Sequence, residues 1–437
     1  MAMGSRNNQR WTRWQAEHRI TAMPINASST AATGDVLVPG RTRPSVSHAR
    51  SFWLIGVVFA SAMAFSTVPA PLYAFYRQRD GFSTFMITVI FAAYAVGVIG
   101  SLFLAGHTSD WLGRRRLLLT ALAAEVIAAL LFLFWTALPG LILARVVTGI
   151  GVGLITATAT AQLGELHAMA RPGAGRGRAE RTSVLANMGG LALGPLIAGL
   201  FAQYVSHPLV VPYAVFLVLL LAAMVAVLVV PETVDLTREH PRYHPQRISV
   251  PTQGRPLYFT VAIASFAGFS LLGLFTSVTP GFIAGTLHHT SPLLAGLVTF
   301  LVFGAGAAAQ IALSGLSAPR QLQIGLALMA GGVLIVTASV WWPTLSLFIL
   351  GGVIAGSGVG VLFKGSLATV VGLALPQSRG EALAGLFLGA YVGLVIPVMG
   401  IGVATRAVPL RSALLGFAVG VLVVTAIVAA RLRSTRR

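Results

Sequence analysis

Three ionisable residues, Glu125, Arg145 and Lys364, interrupt long apolar runs of the chain. A guanidinium at the centre of such a run costs about 2.5–3.5 kcal/mol on insertion scales, so Arg145 must face protein or a wet cavity. Its fixed charge there either meets an anion or is satisfied by backbone carbonyls. Lys364 is the only lysine in a chain that otherwise uses arginine. An ammonium, unlike a guanidinium, can give up its proton, so Lys364 reads as a cargo contact or gate, against snorkelling to the interface. Glu125 reads as a proton carrier or as a hydrogen-bonded packing residue. Tyr73, Tyr94, Gln162, Asn187, Gln310 and Tyr391 add hydroxyls and amides and complete the candidate cargo contacts. Thr156, Thr158 and Thr160 alternate, so they cannot share one helical face, and most of them read as bonding their own backbone.

Other chemistry is unsupported. There is no nucleophile–base pairing, Walker motif or phosphate-binding glycine loop, so neither catalysis nor ATP-driven work is expected, and no cofactor. The chain has no cysteine, and His288 and His289 have no third ligand nearby, so no metal site is expected.

The elements that position these residues follow from composition. Of 437 residues, 56% are hydrophobic and 9% charged, where a soluble domain carries roughly 25% charged. Runs of about 20 apolar residues match a bilayer core. Twelve candidate spans result: 52–76, 85–105, 117–137, 140–166, 183–204, 209–230, 257–282, 293–314, 323–342, 344–374, 382–405 and 408–430. They must be helices, because open strand edges go unsatisfied in lipid. The net charge of +19 sits at the ends of the runs, which points to membrane topology and not to a nucleic-acid partner. Outside the spans, Arg77, Arg79, Arg406 and Arg411 fall on one side and every other arginine on the side of the termini. That asymmetry predicts cytoplasmic termini and a multi-pass protein of the cell membrane.

Residues 1–50 read as a disordered cytoplasmic tail, 51–230 as a first six-helix bundle, 231–256 as a polar, proline-rich linker, 257–430 as a second bundle and 431–437 as a basic tail. The halves look duplicated. "FSTVPAPLY" (65–73) parallels "FTSVTPGFI" (275–283), "RVVTGIGVG" (145–153) parallels "GVIAGSGVG" (352–360), and Pro195 parallels Pro397. The fold class expected is all-α and integral to the membrane, with twelve transmembrane helices in two pseudo-symmetric six-helix bundles.

One stretch is more specific. "GHTSDWLGRRR" (106–116) carries Gly106, Asp110, Gly113, Arg114 and Arg115 between spans 2 and 3. In pattern, position and side it resembles the loop motif of the major facilitator superfamily, and the resemblance covers about residues 51–430. It implies secondary transport by alternating access. It also implies a cytoplasmic latch made by this loop, with Glu165 and the start of span 11, Arg379 and Glu381, as partners. A carboxylate such as Asp110 at a helix N-terminus gains about 0.3–1 kcal/mol. The resemblance further implies a role for Arg145 in cargo binding or proton coupling. Gly149 and Gly153 follow it at helix-packing spacing, as do Gly356 and Gly360 in span 10 and Gly393 ahead of Pro397 in span 11. Gly190, Gly194 and Pro195 resemble the span-5 motif of the family's antiporters, with Ala198 and Arg181 where that pattern has glycines. Pro195 cannot donate to the carbonyl of Leu191, so a kink is expected. The resulting expectation is a monomer that moves small molecules and protons across the bilayer, exporting neutral or anionic amphipathic compounds. The alternatives are an uptake symporter for a small organic anion and a sensor that keeps the fold without transport.

Overall fold

The computed structural model describes residues 46–105, 112–234, 245–251 and 254–434. Gly106, Asp110, residues 1–45 of the N-terminal tail and the last three residues of the C-terminal one lie outside the described residues.

Among the described residues, twelve helices are long and apolar enough to cross a membrane: His48–Asp80, Thr84–Leu104, Arg114–Phe134, Leu138–Ala170, Gly177–Tyr204, Val211–Val229, Arg255–Ser277, Pro292–Ala312, Ala318–Trp341, Leu345–Leu373, Pro376–Ala404 and Leu410–Ser434. They are spans 1–12. Each lies on an expected segment, and most run a few residues further at one or both ends. Span 1 already begins at His48, inside the expected tail, and span 12 continues to Ser434.

Span 1 is broken. One helix runs His48–Thr67, a second Pro69–Asp80. Pro69 has no N–H for the carbonyl of Phe65, and the N–H of Val68 takes that carbonyl instead at 3.1 Å. Span 7 breaks at the matching place, Arg255–Ser277 giving way at Val278 to Thr279–Gly285. Both breaks fall within the paired sequences that mark the halves as duplicates.

The paired glycine stretches match as well. A β-carbon on Gly149 would collide with the carbonyl oxygen of Tyr94, and one on Gly153 with the hydroxyl of Ser101, both in span 2. On Gly356 it would collide with the carbonyl of Val302, and on Gly360 with that of Gly306, both in span 8. Spans 4 and 10 therefore press backbone to backbone on spans 2 and 8. Lipid supplies no hydrophobic drive to join helices, so such contact is what holds them.

At the end opposite the termini, the halves touch along two pairs of spans. Span 5 meets span 8, where a β-carbon on Gly199 would lie 2.6 Å from the carbonyl oxygen of Pro292. Ser291 donates its hydroxyl to Oε1 of Gln203 at 2.9 Å. Span 2 meets span 11 through Thr88 and Gly402, and the Arg406 guanidinium sits 3.9 Å over the ring of Phe85. At the terminus end, the backbone N–H of Gln246, from the segment joining the halves, donates to the carbonyl of Phe103 in span 2 at 2.7 Å.

Candidate functional site

A cavity of about 110 Å³ lies between the halves. Spans 1, 4, 7 and 10 contribute to its wall, as expected, and so do spans 2, 5, 8 and 11. Eight aromatic rings line it: Tyr73, Phe91, Tyr94, Phe269, Phe303, Phe363, Phe387 and Tyr391. Among the described residues, Arg145 is the one charged side chain in the wall.

The break in span 1 positions that arginine. Ser66 stands in the last turn before the break, and Nη1 of Arg145 donates to its carbonyl at 2.7 Å. The guanidinium carbon stands 4.5 Å from the centroid of Tyr94, a cation–π contact. Arg145 is 3% exposed, and its Nε has no partner. Arg145 thus bonds a backbone carbonyl and also lines the cavity. One edge of the fork is satisfied by the protein, and another is left for a different acceptor.

Two hydroxyls support the proline-bearing helices beside the cavity. Pro195 leaves the carbonyl of Leu191 without its helical donor, and Thr67 donates to it at 3.0 Å. Pro397 does the same to Gly393, and Ser270 donates there at 3.0 Å. The small-residue stripe of span 5 packs on span 1, where a β-carbon on Gly190 would lie 2.6 Å from the carbonyl of Ala60. Gly194 is equally tight on Ala64. Gly393 packs on the backbone of Phe266 in span 7. Asn187 reaches the cavity from a single π-helical turn, Leu185–Gly189, which the sequence reading did not foresee.

Of the candidate cargo contacts, Tyr73, Tyr94, Asn187 and Tyr391 line the cavity. Gln162 and Gln310 do not, and neither do the coupling candidates Lys364 and Glu125, because depth along a helix does not fix the direction a side chain faces. Gln310 is spent on packing, donating to the carbonyl of Gly360 at 3.3 Å. Gln162 is buried with both amide atoms unpartnered. Lys364 is half-buried on span 10, next to the cavity-lining Phe363 but outside the wall. Glu125 is fully buried behind the wall, against Gly151 of span 4. Thr156 and Thr158 bond the carbonyls of Val152 and Leu154, as expected, and Thr156 also reaches the cavity.

The terminus end of the first half holds an ionic cluster. Gly113 has φ 95° and ψ 141°, a backbone that favours glycine, and span 3 starts directly after it. The guanidinium of Arg114 grips Glu165 with two bonds, Nη2 to Oε1 at 2.9 Å and Nε to Oε2 at 3.3 Å. Thr233 adds a hydroxyl bond to Oε2 of Glu165 at 2.6 Å. Glu232 accepts from the backbone N–H of Arg114 at 2.9 Å and of Arg115 at 3.1 Å, and so caps span 3. Sequence reasoning missed Glu232, since a carboxylate in a polar linker gives no sign of the helix it will cap. Arg379 and Glu381 stand at the start of span 11, and no ion pair among the described residues joins them to Arg114 or Arg115. Arg114 thus meets Glu165, one of the partners the loop resemblance implies, within its own half.

The sequence profile described as Major Facilitator Superfamily matches residues 52–322. The chain belongs to that superfamily. It is 26% identical over 377 residues to an MFS-type transporter of Burkholderia mallei (strain SAVP1), covering 82% of this chain and 87% of the relative. The same figures hold for one of Burkholderia pseudomallei (strain K96243). Among solved structures it resembles a POT family transporter in complex with 5-aminolevulinic acid, with a TM-score of 0.71 and 12% identity over 89% of this chain and 96% of that one. It resembles the nucleoside transporter NupG with a TM-score of 0.66 and 13% identity, over 87% and 99% of the two chains. The human organic anion transporter MFSD10 (TETRAN) gives a TM-score of 0.65 and 15% identity, over 88% and 100%. At these identities the solved structures share the fold. This superfamily member is a secondary transporter and not an enzyme.

Proposed function

We propose that this transporter exports neutral and anionic aromatic compounds from the cytoplasm in exchange for protons. The single observation that carries the cargo class is the cavity wall: eight rings and one charge, the guanidinium of Arg145. Rings bind flat apolar bodies by stacking and area burial. A permanent cation would meet the positive charge of Arg145 with no acid in the wall to offset it.

The contacts of span 5 with span 8 and of span 2 with span 11 opposite the termini support a cavity reached from the terminus side. With the termini in the cytoplasm, that is the loading state of an exporter. The span-5 resemblance around Pro195 supports the exchange direction. The loop 106–116 acts as the latch of the opposite state, and the Arg114–Glu165 pair and the Glu232 cap are its rigid footing. These assignments extend to a monomer in the cell membrane.

A thermal-shift comparison of the purified protein with naphthalenesulfonate, naphthol and naphthyltrimethylammonium tests the cargo class. The sulfonate and the naphthol stabilise the wild type. The Arg145→Gln variant keeps the response to naphthol and loses that to the sulfonate. Stabilisation by the cation alone overturns the proposal.

A further inference from the structure

A second cavity, of about 690 Å³, lies between the halves at the end opposite the termini. Its wall comes from the second helices of the broken spans 1 and 7 and from the ends of spans 2, 8 and 12. That size falls within the roughly 300–1,000 Å³ of small-molecule sites. Among the described residues, Tyr73 is the one that it shares with the smaller cavity, so the two are neighbours on either side of that ring.

Arg77, Arg79, Arg406 and Arg411 stand at this end, and all but Arg77 are spent on the protein. Arg79 forks the carboxylate of Asp80 with bonds of 2.8 and 2.7 Å. Arg406 covers the ring of Phe85. Arg411 lies 4.6 Å over the ring of Trp341 and donates to its carbonyl at 3.2 Å. Arg77 makes no hydrogen bond or ion pair among the described residues. It stands one turn past Tyr73 on the same helix face and reaches across to span 7, where a β-carbon on Gly281 would lie 3.2 Å from Nη1. From the other half comes His289. His288 has φ 55°, and the N–H of His289 returns to the carbonyl of Ile283 at 3.0 Å, a turn that puts His289 and not His288 in the wall. Phe75 and Phe82 add half-buried rings, and no Asp or Glu contributes to the wall among the described residues.

We propose that this cavity is a second ligand site, which takes aromatic sulfonates and carboxylates, with Arg77 on the acid group and Phe75 and Phe82 against the ring. A planar guanidinium meets such oxygens with two parallel N–H bonds. Rings take up the flat apolar body. An imidazole donates from a ring nitrogen in either protonation state, so His289 adds a donor to the wall. Arg77 is exposed, where water and salt screen it, so this site is weaker than the inner one and fills at higher concentration. The thermal-shift comparison at concentrations that fill only the inner site therefore reads Arg145 alone. The ligand class matches the proposed cargo, but it follows from this wall and does not depend on Arg145. For an exporter, it is the site that cargo reaches once it has passed Tyr73.

Equilibrium dialysis of naphthalenesulfonate against the full chain in lipid nanodiscs, with empty nanodiscs subtracted, counts the sites. The wild type binds a tight and a weak molecule. Arg77→Gln weakens the second about tenfold or more and leaves the first unchanged. Gly281→Asp places a carboxylate beside Nη1 of Arg77 and has the same effect, so the loss follows the charge and not the shape of the arginine. Arg79→Gln, whose guanidinium is spent on Asp80, keeps both. Arg145→Gln loses the tight molecule and keeps the weak one. A weak site that is absent from the wild type, untouched by Arg77→Gln, or lost equally in Arg79→Gln overturns the proposal. Binding that depends on Arg77 but not on Arg145 upholds it and counts against the inner-cavity reading alone, so the two failures are told apart.

Discussion

Ser270 donates its hydroxyl to the carbonyl oxygen of Gly393 at 3.0 Å, the carbonyl that Pro397 leaves without a helical donor. Thr67 does the same for Leu191, which Pro195 deprives. Spans 5 and 11 each lose a helical bond to proline, and spans 1 and 7 supply the missing donors, so these prolines are tied to the helices that line the cavity.

The repair is separable from packing. Ser270→Ala costs about 1 kcal/mol, within the range for a lost interhelical hydrogen bond in a membrane protein. In a Pro397→Ala background the helix satisfies Gly393 itself, and the cost of Ser270→Ala shrinks toward zero. A double-mutant cycle on unfolding in mixed micelles reads this coupling. Equal losses in both backgrounds contradict it.

The backbone contacts of spans 4 and 10 tolerate no side chain. Gly149→Val and Gly356→Val drive span 4 from Tyr94 and span 10 from Val302, and monodisperse protein is lost on size-exclusion chromatography. Gly304→Ala and Gly331→Ala meet open space and leave the elution profile unchanged.

Removing the cap of span 3 is costly for a different reason. Glu232→Ala frees the backbone N–H groups of Arg114 and Arg115 and lowers stability by about 1 kcal/mol. Glu165→Ala leaves the buried guanidinium of Arg114 short of its carboxylate and is the more damaging of the two. Thermal unfolding of both variants gives the order.

Much of this architecture is legible in the chain because a bilayer fixes the length of an apolar helix. The breaks at Val68 and Val278 are visible as prolines placed inside matching stretches. Arg145 is legible as well, since lipid cannot hold a guanidinium. The placements of Lys364, Gln162 and Gln310 were not legible. Glycines on several faces of spans 4 and 10 hide which face is the wall, so sequence gives depth without direction. The π-helical turn at Leu185–Gly189 carries no proline or other marker, and it is what turns Asn187 inward. The cap by Glu232 depends on a contact 118 residues away.

The central claim is anion movement coupled to protons through Arg145. Flux of naphthalenesulfonate in proteoliposomes, under imposed pH gradients of each sign, measures it most directly. The expected result is uphill movement under one sign of gradient, with proton flow in the opposite direction, and loss of both in Arg145→Gln. Flux that ignores the sign of the gradient, or that survives in Arg145→Gln, contradicts it.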